Sequence, residues 1–203
     1  MIKIYNLIQG SDEWFAARSG KLTASNATAI AANGAGLKTY CMGVAQNVIG
    51  VIDESYMNAD MQRGNDLEPI ARMAYELEFG IKIDEVGGIT NDKYPNIWVS
   101  PDGLIGEYGG VEIKARNNKK HFSLIQGDEK EIPFNQIWMS LLISERKWWD
   151  FVSFNPNFSK PLFVKRIYPN LAYEEKLKVG FIEGNKLVKN YVESYNKFEN
   201  IIK

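Results

Sequence analysis

Two short apolar segments constrain the possible fold of this chain most. One is followed by a charged residue and the other is interrupted by two, a pattern typical of a sheet edge. Ile97–Val99 runs into a turn that contains Asp102, and the next apolar segment, 111–115, contains Glu112 and Lys114. If residues 111–115 form a strand, its period of two places Glu112 and Lys114 on one face and the apolar residues on the other. The sequence therefore predicts a sheet with two acids and a lysine close together.

These residues are suited to a divalent metal site. The carboxylates of Asp102 and Glu112 and the backbone carbonyl of Ile113 are hard oxygen ligands, which Mg²⁺ and Mn²⁺ prefer. A lysine such as Lys114 cannot be a ligand while charged, but it can orient a water or stabilise an anionic transition state. The same residues are equally consistent with a solvated Pro-Asp-Gly turn and an exposed Glu–Lys pair on an edge strand.

Composition excludes several other chemistries. The single cysteine, Cys41, rules out an intramolecular disulfide and a cysteine-rich zinc site, and favours a reducing, intracellular setting. The single histidine, His121, rules out zinc hydrolases built on two histidines. The formal net charge of -1 does not indicate a nucleic-acid binder, although a local basic patch would be compatible with it. No apolar run is long enough for a membrane span, so no membrane partner is expected.

Periodicity predicts a single domain, residues 1–203, of the α/β class with one mixed sheet. The clearest helix, 60–79, carries Glu68 near its start and is followed by short strands around a predicted Gly87-Gly88 turn. A long amphipathic helix is predicted at about 171–203. The position of Glu68 is favourable for any acid in a first helical turn, and it also allows a third carboxylate at the metal site.

A set of motifs, in this order, resembles the phage lambda exonuclease and YqaJ-type viral recombinase family. Members are alkaline exonucleases within the PD-(D/E)XK nuclease superfamily. The resemblance covers about residues 9–156 and implies a restriction-endonuclease-like core, with a central mixed β-sheet flanked by α-helices. The motifs are Gln9–Trp14 with Arg18, Thr23–Ser25, Arg63-Gly64 with Glu68, Ser100–Gly103, Glu112–Lys114 and Gln136.

The resemblance also implies roles for individual residues. Asp102, Glu112 and the Ile113 carbonyl would bind Mg²⁺, for which Mn²⁺ can substitute, and Glu68 would help to hold a metal or water. Lys114 would activate water, and Gln136 would lie near the scissile phosphate, although the second glutamine usual in this family is replaced by Trp138.

Arg18 and Ser25 would form a pocket for a 5′-terminal phosphate. From the residues alone, Arg18 is also consistent with a surface ion pair and Ser25 with a helix cap. Met61 would split the terminal base pair or, alternatively, would only pack at the start of its helix, and Arg63 and Lys119 are further candidates for DNA contact.

The function implied is Mg²⁺-dependent 5′→3′ digestion of one strand of linear double-stranded DNA. The 3′ single strand left behind would serve phage-type recombination. The implied setting is the cytoplasm of a bacterial host, with phage or prophage origin. The implied partners are DNA ends, a single-strand annealing protein and further copies of the chain in a trimeric ring. Two alternatives stay open, a restriction-like endonuclease and a non-catalytic module that binds DNA ends. A relative with an iron–sulfur cluster is excluded, because such a cluster needs four cysteines.

Overall fold

The computed structural model describes residues 1–51 and 59–199, and for residues 59–61 it describes the backbone only. Seven α-helices and eight strands are present in this part of the chain. The helices are α1 (Asp12–Arg18), α2 (Ala27–Ala32), α3 (Ala35–Val48), α4 (Ala59–Phe79), α5 (Asn118–Ile125), α6 (Phe134–Ser144) and α7 (Leu171–Asn196). The strands are β1 (Ile2–Tyr5), β2 (Leu22–Thr23), β3 (Gly88–Asn91), β4 (Tyr94–Val99), β5 (Gly103–Ile105), β6 (Gly109–Ala115), β7 (Trp148–Phe154) and β8 (Leu162–Ile167). Short 3-10 helices lie at Ala24–Asn26 and Glu129–Glu131.

The strands form two four-stranded mixed sheets, in the orders β1-β3-β4-β2 and β5-β6-β7-β8. The predicted α/β class with helices around mixed β-structure is confirmed, but the prediction of one sheet is wrong. The turn at 100–103 carries the chain from β4 in the first sheet to β5 in the second. At the free edge of β5, the one further pairing in the described part of the chain is an antiparallel bridge between Asp84 and Leu104. The segment 81–86 therefore contributes that bridge and no strand, while Gly88, predicted in a turn, begins β3.

The second sheet is covered on both faces. Because side chains alternate along a strand, successive residues of one strand point into different cores. On β7, Trp149 and Phe151 enter the larger core, whereas Val152 and Phe154 enter a second core that includes Tyr75 of α4. Strand β6 lies parallel to β7 with Glu112 opposite Phe151. Glu112 therefore belongs to the face turned away from α4.

The larger core packs α7 against α2 and α3. Gly180 lies where α7 crosses α2, and a β-carbon at this position would come within 2.1 Å of the Ile30 carbonyl oxygen. Only a residue without a side chain permits this approach of the two helices. Among the described residues, none of the helices combines the length and the apolar character that a membrane span requires.

Replacement of Gly180 by alanine is expected to lower the free energy of unfolding by about 1–3 kcal/mol, because the backbone of α2 must move. Gly43 in α3 is the matched control, since nothing lies within 4 Å of the β-carbon that it would gain. Gly43→Ala is expected to raise the same quantity by up to about 1 kcal/mol through helix propensity. Urea unfolding measures both changes. Equal stability of Gly180→Ala and the wild-type protein would contradict this account of the α2–α7 contact.

Candidate active site

Strand β6 presents an acid and a lysine as a direct ion pair. Lys114 Nζ lies 2.6 Å from Glu112 Oε1, and the side chain of Glu112 is 1% exposed. The intervening residue Ile113 and its neighbour Val111 pack into the core beneath α4. The side chains of β6 therefore alternate as predicted, and the Glu112 carboxylate is buried on the face next to α6.

Asp102 is held against β6 by the backbone. Its Oδ2 accepts a hydrogen bond of 2.6 Å from the Ile113 N–H. The turn that carries Asp102 is itself tied to the N-terminal segment, because Gln9 Nε2 donates to the carbonyl oxygens of Pro101, at 2.8 Å, and Val86, at 3.0 Å. Asp102 and the backbone of Ile113 thus lie side by side, as a shared site requires.

Helix α4 contributes Glu68, which lies in the interior of the helix and not in its first turn as expected, and Arg72 four residues later. Arg72 Nη2 donates to Glu68 Oε1 at 2.8 Å and to the Asp102 carbonyl oxygen at 3.4 Å, while Nη1 lies 2.6 Å from Glu85 Oε2. The side chain of Arg72 is 12% exposed. This arginine therefore connects the helix acid to the turn that carries Asp102.

Helix α6 contributes Gln136, whose Nε2 donates to Glu112 Oε1 at 2.6 Å. Oε1 therefore has two donors, Gln136 and Lys114. The other oxygen, Oε2, is buried and has no hydrogen-bond partner among the described residues. A buried carboxylate oxygen without a donor is costly unless a cation or water meets it.

The charged groups at this site shift one another's pKa values. Burial raises the pKa of Glu68 to about 7, and the charge of Asp102 acts in the same direction. Burial also raises the pKa of Glu112, against the opposing effect of Lys114. Burial by itself would lower the pKa of Lys114, but Glu112, Asp102 and Glu68 outweigh it and the pKa is raised. Lys114 is therefore an ammonium group, suited to donate hydrogen bonds rather than to remove a proton.

The carboxylates are close enough to repel but are not arranged as a ready-made metal cluster. Within residues 1–51 and 59–199, no group of three acids, histidines or cysteines has metal-binding geometry. Each acid instead faces a donor of the protein: Arg72 for Glu68, the Ile113 N–H for Asp102, and Lys114 with Gln136 for Glu112. The free Oε2 of Glu112 and the mutual repulsion of the acids fit a divalent cation, which would lower both costs.

A second polar site lies around Arg18. The Arg18 guanidinium carbon is 5.0 Å from the centre of the Trp14 ring, and Trp14 Nε1 donates to the Gly87 carbonyl oxygen at 2.7 Å. Burial lowers the pKa of Arg18, and among the described residues no carboxylate forms an ion pair with it. The alternative of a surface ion pair is therefore absent from the structure. A half-buried guanidinium without an acid is a good receptor for an external anion.

A chain of hydroxyl groups begins near this arginine, at Tyr40. Tyr40 is close enough to Arg18 for each to influence the pKa of the other. The Tyr40 oxygen lies 3.1 Å from Thr23 Oγ1, which lies 3.2 Å from the exposed Ser25 Oγ. Ser25 does not cap α2, whose N-cap residue is Asn26.

Two cavities lie beside these features. One, of about 370 Å³, has Ser25, Lys130, Asn135 and Gln136 in its lining. The second, of about 700 Å³, is lined by Trp14 together with Glu68, Arg72 and Asp102. Because the Trp14 ring lies 5.0 Å from the Arg18 guanidinium carbon, this second cavity brings the neighbourhood of Arg18 next to the acids of α4 and of the turn.

The remaining predicted residues take other positions. Arg63 donates to the carbonyl oxygens of Ala115, at 3.2 Å, and Arg116, at 3.1 Å, so its guanidinium already fixes the end of β6. Lys119 is exposed on α5. The side chain of Met61 lies outside the part of the chain that the structure describes. His121 is buried, and its Nδ1 lies 2.9 Å from Ser153 Oγ, which is a structural contact.

Sequence reasoning missed Arg72 and Tyr40. The spacing of four residues from Glu68 could have indicated Arg72, because residues at i and i+4 are neighbours on a helix. Tyr40 lies 17 positions from Thr23, and no local pattern in the sequence relates the two.

Comparison with known proteins places the chain in a family. Residues 13–146, more than half of the chain, match the YqaJ-like viral recombinase domain. The chain belongs to the YqaJ-like viral recombinase family. Among curated proteins no significant match is found.

Solved structures agree with this assignment. The alkaline exonuclease LHK-Exo from Laribacter hongkongensis is 30% identical, with a TM-score of 0.84 over 92% of this chain and 97% of that one. The same exonuclease in complex with dAMP gives 29% identity and the same TM-score and coverage. A phage-related exonuclease from Haemophilus somnus 129PT has the same fold, with 13% identity and a TM-score of 0.68 over 86% of this chain and 96% of the other. This YqaJ-family protein is thus grouped with the phage-type alkaline exonucleases.

Proposed function

We propose that this protein is a Mg²⁺-dependent exonuclease that digests one strand of linear double-stranded DNA in the 5′→3′ direction from 5′-phosphorylated ends. The observation that carries the proposal is the cavity lined by Trp14, whose ring lies against Arg18, and by the acids Glu68 and Asp102, because it brings a site suited to an anion next to a cluster of acids. The similarity to LHK-Exo, which has been solved with dAMP, supports a DNA substrate.

The acids would hold the metal, and other side chains would act on the phosphate. When bound, Mg²⁺ would supply a water of lowered pKa and polarise the scissile phosphodiester. Asp102, Glu112 and the backbone carbonyl of Ile113 would hold it, with help from Glu68. The Lys114 ammonium would donate to a phosphate oxygen as negative charge develops there, and Gln136 would fix the orientation of Glu112.

The direction of digestion would follow from the Arg18 site. A guanidinium and a hydroxyl bind a terminal phosphate dianion more strongly than an internal monoanionic phosphodiester, because the charge is larger. A strand held by its 5′ end at Arg18 and Ser25 would pass through the cavity to Gln136 and be cut there. Repetition would leave a 3′ single strand, which fits a role in phage-type recombination.

The decisive assay compares three DNA substrates with and without Mg²⁺. These are a linear duplex with 5′-phosphate ends, the same duplex with 5′-hydroxyl ends, and a covalently closed circle. We expect fast digestion of the phosphorylated duplex only, and no digestion without Mg²⁺. Arg18→Ala is expected to lower the kcat/KM ratio between phosphate and hydroxyl ends by roughly tenfold to a hundredfold.

The same assay tests the alternatives. Rapid cutting of the circle would identify an endonuclease, and binding of ends without hydrolysis would identify a non-catalytic module. Lys38→Ala serves as the control for Arg18→Ala, since it removes an exposed positive charge near the start of α3. It is expected to leave the ratio unchanged. An unchanged ratio in Arg18→Ala would remove the phosphate pocket from the proposal.

The proposal includes assembly with further copies of the chain and with a single-strand annealing protein. Helix α4 exposes an apolar stripe of Ile70, Met73 and Leu77, with exposed fractions of 52%, 69% and 87%. A stripe of this kind on a solvent face is typical of a protein–protein contact and supports a ring-shaped homotrimer. Sedimentation equilibrium gives the mass of the assembly, and a monomer would contradict the ring.

A further inference from the structure

A chain of three hydroxyl groups leads from the buried side of the Arg18 site to its surface. Thr23 is 6% exposed, whereas Ser25 is exposed. Besides the two hydroxyl contacts given above, the Thr23 N–H donates to the Tyr40 oxygen at 2.8 Å. Asn26 Nδ2 lies within donating distance of Thr23 Oγ1, at 3.3 Å, and of Ser25 Oγ, at 3.4 Å.

The donors and acceptors in this chain can be assigned one after another. The Tyr40 oxygen accepts from the Thr23 N–H, and among the described contacts the acceptor within reach of its phenolic hydrogen is Thr23 Oγ1, so we assign the phenol as the donor in that contact. Thr23 Oγ1 then accepts from Tyr40 and from Asn26, which fills its two lone pairs and leaves its own hydrogen for Ser25. Ser25 Oγ accepts from Thr23 and Asn26 in the same way. The hydrogen of Ser25 is therefore left to point outward.

We propose that Tyr40 is a positioning residue for the 5′-terminal phosphate: through Thr23 it turns Ser25 into a directed donor towards that phosphate. This inference rests on the proposed function of the Arg18 site. A serine hydroxyl on its own donates and accepts equally well, and so it discriminates little between a phosphate and a solvent-exposed hydroxyl end. A hydroxyl whose oxygen is already filled can only donate, which favours an anion.

Two further observations agree with this direction of donation. Burial raises the pKa of Tyr40, so the phenol keeps its proton. Arg18 acts on the pKa of Tyr40 through its charge, which fits a guanidinium near the buried end of the hydroxyl chain. A phosphate in that space would receive charge-assisted hydrogen bonds from both groups.

The test is the ratio of kcat/KM for duplexes with 5′-phosphate and 5′-hydroxyl ends. Tyr40→Phe removes the first donor, and Thr23→Val removes the middle hydroxyl while keeping the backbone N–H. Each is expected to lower the ratio by roughly threefold to tenfold, mainly through KM for the phosphorylated end. In the Ser25→Ala background neither change is expected to lower it further, because the directed donor is already gone.

Tyr173→Phe is the matched control. Tyr173 also donates through its hydroxyl in this region, at 3.1 Å to the Ala27 carbonyl oxygen of α2, but takes no part in the hydroxyl chain. We expect this variant to keep the wild-type ratio. If Tyr40→Phe does not fold, as thermal unfolding would show, Thr23→Val decides the question.

The outcomes separate this inference from the proposed function. A wild-type ratio near one would overturn the proposed function and this inference with it. A different result would overturn the role of Tyr40 alone. In that case the wild-type ratio is high and both Arg18→Ala and Ser25→Ala lower it, but Tyr40→Phe and Thr23→Val leave it unchanged. An equal further loss in the Ser25→Ala background would also overturn it, since Tyr40 would then act by another route.

Discussion

Asp102→Asn is expected to lower Mg²⁺-dependent hydrolysis by roughly 10²–10⁴-fold while leaving the protein at least as stable as the wild type. The amide keeps an oxygen that can accept the Ile113 N–H, so the turn can stay on β6. A metal bound at the proposed site, however, would lose a charged ligand. Stability is expected to hold or rise because the charge of Asp102 raises the pKa of both Glu68 and Glu112, which means that it repels two neighbouring carboxylates. The substitution also removes the attraction between Asp102 and Lys114, but Lys114 keeps its ion pair of 2.6 Å with Glu112.

Single-turnover assays measure the loss of activity, and thermal unfolding measures the change in stability. Binding of Mn²⁺ by calorimetry gives a readout that is independent of hydrolysis, and we expect weaker binding. The control is Asp92→Asn, which removes an aspartate that is 77% exposed and paired with the N-terminal amino group. That control should keep wild-type activity. Full activity of Asp102→Asn would exclude Asp102 from the metal site.

Asp150→Ala is expected to have the largest effect on stability, a loss of about 3 kcal/mol in the free energy of unfolding. Asp150 is 2% exposed and accepts two hydrogen bonds of 2.8 Å from Arg166 on β8 and one of 2.6 Å from the Tyr75 hydroxyl on α4. Without it, the buried Tyr75 hydroxyl has no acceptor. For a chain of this size the melting temperature should fall by roughly 6–12 °C.

Tyr75→Phe is the comparison for this network. It removes one hydrogen bond but leaves Asp150 paired with Arg166, so we expect a smaller loss of about 1 kcal/mol. The double variant should lose less than the sum of the two, because both changes act on the same contact. A loss below about 1 kcal/mol for Asp150→Ala would show that this network adds little to the attachment of α4 to the second sheet.

Local patterns in the sequence were sufficient for much of the site. The alternation on β6 predicts that Glu112 and Lys114 share a face, and the ion pair of 2.6 Å between them agrees. Ser11 precedes Asp12 and Glu13, a pattern that indicates a helix N-cap, and its side chain accepts from the Trp14 N–H. These features follow from residues within a few positions of one another, where backbone geometry alone fixes direction.

Contacts between distant segments could not be predicted in the same way. Gln9 reaches the carbonyl oxygen of Pro101 across 92 positions, and Arg63 uses its guanidinium on backbone carbonyls rather than leaving it free. The strands are divided between two sheets, and hydrophobic periodicity does not encode which strands pair with which. Such contacts are decided by tertiary packing, which the sequence pattern constrains only weakly.

The arrangement of the two sheets also fixes the distance between two parts of the proposed site. Thr23, next to the proposed phosphate site, belongs to the first sheet, whereas Glu112 and Lys114 belong to the second, and the turn at 100–103 and the Gln9 hydrogen bonds fix one sheet against the other. The distance between the proposed anchor for a strand end and the proposed catalytic residues is therefore a property of the scaffold, not of either site. In the proposed exonuclease this distance would act as a ruler, and it would determine how many nucleotides leave with each cut.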